Sequence, residues 1–170
     1  NAGHILGSAL LELDLKENTH SLRLAFSGDL GRKYLPLLKE PYQIKGCDIL
    51  IIESTYGNRL HHPVTEIRQE LTDVVNRVYE RKGKIIIPAF SVGRSQEVTY
   101  TLNELINEGK IPDLPIFVDS PLTVNVTEVF MKHPECFSED ICNIKEPTCD
   151  PFGLHRIKYI ENVEESKHLN

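Results

Sequence analysis

The stretch DILIIESTYGNRLH, residues 48–61, decides how the rest of the chain is interpreted. Its apolar run, residues 49–52, is rich in β-branched residues and is too short for a buried helix. These two properties predict a strand covered on both faces. The run stops at Glu53, and residues 54–58 have the composition of a turn. Ligands bind at the carboxyl ends of strands in open α/β sheets, so Glu53 is a candidate functional-site residue. The alternative is a solvated glutamate followed by an ordinary loop.

The composition is ordinary for a soluble globular protein and bounds the range of functions. The chain has 170 residues, 40% of them hydrophobic and 26% charged, and a formal net charge of −6. No run approaches the ~18 apolar residues that a membrane span requires, so no membrane partner is expected. Bulk affinity for nucleic acid comes from clustered lysine and arginine, so the negative charge confines any such contact to a local surface.

The cysteines favour an intracellular protein with free thiols. Cys47, Cys136, Cys142 and Cys149 form no C-x-x-C pair and lack the tight spacing of structural zinc sites. We therefore expect four free thiols and a cytoplasmic location, with a metal site or disulfide framework as the alternative.

Two alternating segments predict a β-hairpin with one buried face. Residues 9–16 and 20–27 carry leucine or phenylalanine at every second position and are joined by a polar turn. Glycine-rich motifs stand at both ends of the hairpin, and they place His4 before it and Asp29 after it. Imidazole and carboxylate suit divalent zinc, so His4 and Asp29 are candidate metal ligands. The alternatives are a hydrogen-bonded loop histidine and a plain Gly-Asp turn.

From residue 63 onward, the pattern predicts alternating helices and strands in a parallel sheet. Helical spacing begins at Pro63 and ends near Gly83, and a second amphipathic helix ends at Gly109. Apolar runs predict strands at residues 84–88, 115–118 and 156–160, a third helix follows Pro121, and a short helix starts near Glu164. Most of the stretch between His133 and the last strand is predicted to be loop.

Two of these helices are predicted to begin directly after strands, with Ser91 and Ser120 as N-caps. Free N–H groups and the helix dipole make such a start an anion site, and Arg94 can add a bidentate guanidinium. Two starts side by side would suit a phosphate-rich ligand, so Ser91, Arg94 and Ser120 are candidate substrate-binding residues. The alternative is that the serines only cap their helices.

In order along the chain, the strings GHILGSA, FSGDLGR, ESTYGNRLH, IPAFSVGRSQE and VDSPL resemble motifs of the β-CASP family of metallo-β-lactamase-fold nucleases. The resemblance implies an α/β fold in two parts. Residues 1–57 would be part of a metallo-β-lactamase domain, with its β-hairpin and buried strand. Residues 58–170 would be a largely complete β-CASP domain with a parallel βα sheet.

The resemblance also implies roles for individual residues. His4 would bind one zinc ion, and Asp29 would bridge the two zinc ions of a complete active site. Glu53 matches motif A, an acidic residue that orients a histidine supplied later in the chain. Asp29 and Glu53 are therefore the predicted catalytic residues. Ser91, Arg94 and Ser120 lie in motifs that line the substrate cleft.

Some family motifs are absent from the sequence, namely H-x-H-x-D-H and the histidines of motifs B and C. We therefore expect a fragment of a longer zinc-dependent RNA phosphodiesterase that is itself inactive and holds zinc weakly. Its partner would be single-stranded RNA, and exposed strand edges would allow a homo-oligomer. One alternative is a non-catalytic RNA-binding scaffold subunit with the same fold. Another is a related hydrolase acting on a small ester or thioester, which the βα segment with Arg94 disfavours.

Overall fold

The computed structural model describes residues 1–141, 149–160 and 162–169 and has the predicted mixture of helices and strands. The chain divides into two compact units, Asn1–His61 and His62–Asn170, called here the amino-terminal and carboxyl-terminal units. Among the described residues, no helix combines the length and apolar content that crossing a bilayer requires.

The amino-terminal unit is built on a three-stranded sheet in the order β1-β2-β3. Strands β1 (Leu11–Glu17) and β2 (His20–Phe26) form the predicted antiparallel hairpin, closed by a two-residue turn. Strand β3 (Ile49–Ile51) pairs with β2 in parallel, with Leu24 opposite Ile49. The carboxyl ends of β2 and β3 therefore meet at one edge of the sheet, which is also the edge where β1 begins.

The predicted burial of this sheet is wrong. The side chains of residues 49–52 are 44–56% exposed, and Leu11, Leu13 and Leu15 are 38–51% exposed. Apolar patterning shows which faces can be covered, but burial needs a second layer. The buried side chains of the unit are mostly small, and they lie beside the sheet edge and in the following loop: Ala2, Ala25, Ser27, Leu37 and Leu38.

The carboxyl-terminal unit has four α-helices, one short 3-10 helix (Pro134–Cys136) and two short strands among its described residues. Helices α1 (Val64–Glu80) and α2 (Arg94–Asn107) precede β4 (Phe117–Asp119), α3 (Pro121–Lys132), β5 (Lys158–Ile160) and α4 (Val163–Lys167). β4 and β5 pair in parallel, with Phe117 opposite Lys158. These positions confirm the predicted helices and two of the three predicted strands.

The predicted strand at residues 84–88 is wrong, because the segment has no regular structure. Ile85 packs against the helical core, whereas the Ile86 side chain is 89% exposed. A strand is defined by backbone pairing, and no described segment pairs with this one.

Two apolar clusters hold the carboxyl-terminal unit together. The first joins α1, α2 and the segment after α2 through Val75, Leu102, Leu105, Ile106 and Ile111. In the second, the rings of Phe130, Phe137 and Phe152 have centroids 6.1–6.3 Å apart. Burying large aromatic rings in this way contributes a large share of core stability.

The prediction of four free thiols is correct for Cys47 and Cys136 and wrong for Cys149, which is in a disulfide. The sequence argument used motif spacing, whereas a disulfide depends on the three-dimensional fold, which must bring two Cα atoms within about 7 Å with their Cβ atoms directed towards each other. Cys142 lies outside the described residues.

Candidate functional site

Three loops meet at one edge of the amino-terminal sheet. They are the segment before β1, which carries His4, the segment after β2, which carries Asp29, and the segment after β3, which starts near Glu53. The Gly31 N–H donates to the Ala2 carbonyl at 2.8 Å, and the Ala2 N–H donates to the Ser8 carbonyl at 3.1 Å. The sheet topology and these bonds bring the predicted metal-binding loops together.

Gly31 shows how closely the first two loops pack. A Cβ atom at this position would lie 1.7 Å from the Gly3 carbonyl oxygen and 2.7 Å from the His4 backbone nitrogen. Only a residue without a side chain fits there, because real Cβ contacts are longer than 3.0 Å. The backbones that carry His4 and Asp29 are therefore as near to each other as a glycine permits.

The Glu53 carboxylate links the third loop to the second. One oxygen, Oε1, accepts from the Leu30 N–H at 2.5 Å, and Oε2 accepts from the Thr55 hydroxyl at 2.7 Å. The backbone N–H of Glu53 donates to the Ser27 hydroxyl at 3.1 Å. The Thr55 hydroxyl, the Leu30 N–H and the nearby His4 lower the pKa of Glu53 below 4.5, despite some desolvation. Glu53 is thus held in place and ionised at neutral pH.

The His4 and Asp29 side chains are both exposed at this edge. Imidazole and carboxylate are suitable zinc donors, but a catalytic zinc takes about three protein ligands. Within residues 1–141, 149–160 and 162–169, no three His, Cys, Asp or Glu side chains come together as a metal site. The residues at this edge therefore fit part of a zinc site and not a whole one.

A second polar cluster lies in the carboxyl-terminal unit, at the starts of α2 and α3. The hydroxyls of Ser91 and Ser120 are 3.2 Å apart. Ser120 is the N-cap of α3, as predicted, and accepts from the Thr123 N–H at 3.2 Å, with Pro121 at the first helical position. The structure therefore places Ser91 and Ser120 side by side.

The prediction that Ser91 caps α2 is wrong. The helix begins at Arg94 and its N-cap is Gly93, whose φ of 80° lies in the left-handed region. Glycine adopts this conformation without strain, which moves the helix start two residues beyond the serine. The Ser91 side chain is thereby left to contact Ser120.

The buried side chain of Gln96 connects the residues of this cluster by hydrogen bonds. Its side chain is fully buried, and its Oε1 accepts from the Gly93 N–H at 2.8 Å. Its Nε2 donates to the Ser91 carbonyl at 3.2 Å and to the Thr127 hydroxyl at 3.0 Å. Sequence reasoning did not identify Gln96 as a site residue. Glutamine three residues after an N-cap is, however, a capping-box signal that could have done so.

Arg94 is mostly exposed and already has a partner. Its guanidinium donates to the Glu97 carboxylate at 2.7 Å, an ion pair between positions three apart on α2. The Arg94 side chain is 62% exposed and that of Glu97 is 15% exposed, so an anion in solution can reach the guanidinium and compete with Glu97 for it. The predicted role of Arg94 as a phosphate contact stays a prediction.

Comparisons with known proteins agree with the resemblance seen in the motifs. The sequence profile described as the Beta-Casp domain matches residues 95–170. Ribonuclease TTHA0252 of Thermus thermophilus is 32% identical over 99% of this chain, and an RNase J-like protein of Methanocaldococcus jannaschii is 36% identical over 90% of it. The endoribonuclease YSH1 of Kluyveromyces lactis is 30% identical over 97%.

These alignments cover 38%, 36% and 22% of the three relatives, so the chain spans well under half the length of each. The relatives are named as ribonucleases, and the domain match and the motif-bearing loops point the same way. The chain therefore contains a β-CASP domain at residues 95–170, and along nearly its whole length it is similar to proteins named as ribonucleases.

Proposed function

We propose that His4, Asp29 and Glu53 belong to the active site of a zinc-dependent RNA phosphodiesterase. The observation that carries the proposal is the meeting of three loops at one sheet edge, fixed by the Gly31-to-Ala2 and Leu30-to-Glu53 hydrogen bonds. Each loop brings a residue of the expected chemistry, namely an imidazole, a carboxylate that can bridge metals and a second, oriented carboxylate. The names of the relatives supply the substrate class, which is RNA.

His4 and Asp29 are the proposed zinc ligands. Two bound zinc ions would supply a hydroxide nucleophile at neutral pH and would stabilise charge on the phosphate. His4 and Asp29 would be two members of the ligand set, and Asp29 would bridge the ions. Since two ligands hold a divalent ion poorly, we expect the 170-residue chain alone to retain no zinc after dialysis and to cleave no RNA.

Glu53 is proposed to orient a proton donor and not to donate the proton itself. Its lowered pKa keeps the carboxylate ionised at neutral pH, so it holds no proton to give. An ionised carboxylate can accept a hydrogen bond from an imidazole and fix its tautomer and orientation. Thr55 and the Leu30 N–H already fix the carboxylate in turn.

Ser91 and Ser120 are proposed to bind the phosphates of single-stranded RNA. Their adjacent hydroxyls stand before two helix starts, where backbone N–H groups and helix dipoles favour an anion. Arg94 would join them by exchanging Glu97 for a phosphate oxygen. We also propose that the protein is located in the cytoplasm. Its exposed strand edges would allow it to form a homo-oligomer.

Substitution of the bridging residue tests the enzymatic proposal. In a protein that supplies the remaining zinc ligands, Asp29→Ala should abolish RNA cleavage with little loss of stability, because the side chain is exposed and packs against little. The matched control is Asp73→Ala, because Asp73 is an exposed aspartate on α1. Asp48→Ala is unsuitable, because it would remove a hydrogen bond from the Arg23 N–H in the amino-terminal unit. Full cleavage by Asp29→Ala would refute the zinc assignment.

The second candidate is a non-catalytic RNA-binding scaffold. It would use the proposed RNA contacts of Ser91 and Ser120 and would not depend on a complete metal site. RNA binding without cleavage, in a protein shown by metal analysis to hold two zinc ions, would support the scaffold over the enzyme.

A further inference from the structure

Three side chains after Glu53 form a compact surface cluster that the proposed chemistry does not use. The rings of Tyr56 and His61 meet edge to face, with centroids 4.6 Å apart and planes at 65°. The Arg59 guanidinium lies over the Tyr56 ring, 5.0 Å from its centroid. We call Tyr56, Arg59 and His61 the aromatic–arginine cluster.

The backbone that carries this cluster is folded by local hydrogen bonds. The Gly57 N–H donates to the Ser54 carbonyl at 3.0 Å, and the Arg59 N–H donates to the Tyr56 carbonyl at 3.1 Å. Two successive turns thus bring the three side chains together within six residues. The three side chains are in contact without a ligand, and such preorganisation reduces the entropy cost of binding.

The exposure of the cluster argues against a purely structural role. Tyr56 is 51% exposed, and Arg59 and His61 are also exposed. An aromatic residue that stabilises a fold normally buries most of its ring, as Phe130 and Phe152 do in the carboxyl-terminal unit. Here an aromatic ring is held in position while about half of its surface remains open to solvent.

The chemistry of the cluster matches one unpaired base with its phosphate. Proteins hold single strands by stacking bases on aromatic rings and by placing cations near the backbone. A guanidinium stacked on the ring can also stack on a base or pair with a phosphate oxygen. Bases in a duplex have no free face, so the cluster favours a single strand. In a chain with net charge −6, a polyanion has to be attracted by local cations, and Arg59 supplies one of them.

We propose that Tyr56 stacks on one base of a single-stranded RNA and that Arg59 contacts an adjacent phosphate. His61 holds the tyrosine ring at its edge. This inference rests on the proposed function, because it takes RNA as the ligand. It adds a contact three residues from Glu53, so that a base would be held next to the proposed reacting edge.

The test measures RNA binding by the 170-residue chain, using fluorescence anisotropy with a labelled twelve-nucleotide oligoadenylate. A second probe has the same sugar-phosphate backbone and no bases. Tyr56→Leu removes the stacking ring, Tyr56→Phe keeps it, and Tyr79→Leu is the matched control, since Tyr79 is a half-exposed tyrosine on α1. Circular dichroism and thermal melting verify that each variant is folded.

The expected result is a loss of affinity specific to the bases. Tyr56→Leu should weaken oligoadenylate binding by about 5- to 150-fold, the range for loss of one stacked base. Tyr56→Phe and Tyr79→Leu should bind like the parent chain, and none of the three tyrosine variants should change binding of the baseless probe. Arg59→Gln should reduce the slope of log affinity against log salt by about 0.7, the value for one phosphate contact to a single strand.

Two negative results are distinguishable. If the parent chain binds oligoadenylate and Tyr56→Leu binds as tightly as Tyr79→Leu, the stacking role is refuted and the proposed RNA ligand stands. If the parent chain binds neither probe at any salt concentration, the RNA-binding part of the proposed function fails, and the base-stacking inference fails with it.

Discussion

Replacing Gln96 with leucine tests whether the polar cluster at the starts of α2 and α3 is held from inside the protein. Leucine has a similar size and is a good helix former, so the change mainly removes polar atoms. The Gln96 side chain makes hydrogen bonds to the Gly93 N–H, the Ser91 carbonyl and the Thr127 hydroxyl. Thr127 keeps its bond to the Thr123 carbonyl, but the buried Gly93 N–H loses its side-chain acceptor.

The magnitude follows from these contacts. Three hydrogen bonds contribute about 1 kcal/mol each, and an unsatisfied buried donor costs about 1–3 kcal/mol. Burying a leucine in place of an amide recovers part of this loss. We expect the free energy of unfolding to fall by about 1–3 kcal/mol. With a urea m-value of about 2 kcal/mol/M, the midpoint falls by about 0.5–1.5 M.

Urea titrations followed by circular dichroism measure this shift, with Gln69→Leu as the matched control. Gln69 is exposed on α1 and donates to Asp73 at 2.8 Å, so its loss should change the midpoint by much less. The same variants are titrated with oligoadenylate, and Gln96→Leu should bind it more weakly because Ser91 loses its fixed position. Equal midpoints for the two variants would refute the argument that Gln96 supports the cluster.

Three further predictions follow from the same structure. Phe130→Ala should lower the free energy of unfolding by about 3–5 kcal/mol, because the ring is fully buried, whereas Phe117→Ala at a half-exposed ring should cost far less in the same urea titration. Burial raises the pKa of the Asp150 carboxyl, but hydrogen bonds from the Leu154 and His155 N–H groups and from the His155 ring lower it by more. The pKa of Asp150 therefore lies below its usual value of 3.8. Asp150→Ala should therefore destabilise the protein above about pH 4, and the difference from the parent should shrink in thermal melts as the pH falls below that value. Glu97→Gln should free Arg94 and tighten RNA binding, and Arg94→Ala should weaken binding and flatten its salt dependence in anisotropy titrations; unchanged affinity in both would exclude Arg94 from the RNA contact.

Features that depend on a few neighbouring residues could be predicted from the sequence. Ser120 and Pro121 start α3 because the cap bond and the proline conformation are local. Glu53 lies at the end of β3 because the apolar run stops there. The loops of His4 and Asp29 meet at one edge because hairpin and parallel pairing fix where strand ends lie.

Features that depend on distant partners could not be predicted. Residues 84–88 have a strand composition, but pairing is a property of two segments. The apolar side chains of β3 are exposed because patterning does not supply the layer that covers them. The start of α2 is an exception, because Gly93 takes the cap position predicted for Ser91 through its own left-handed backbone and a hydrogen bond to Gln96, which are both local.

The absence of a side chain at Gly31 gives a way to disturb the proposed active edge without altering any chemical group in it. A methyl group there would overlap the Gly3 carbonyl oxygen, so the two loops would have to separate by more than 1 Å. The Gly31-to-Ala2 hydrogen bond would be lost in the process. Every ionisable side chain would remain, and only their spacing would change. Catalysis depends on spacing at this scale, so position 31 separates the contribution of geometry from that of chemistry.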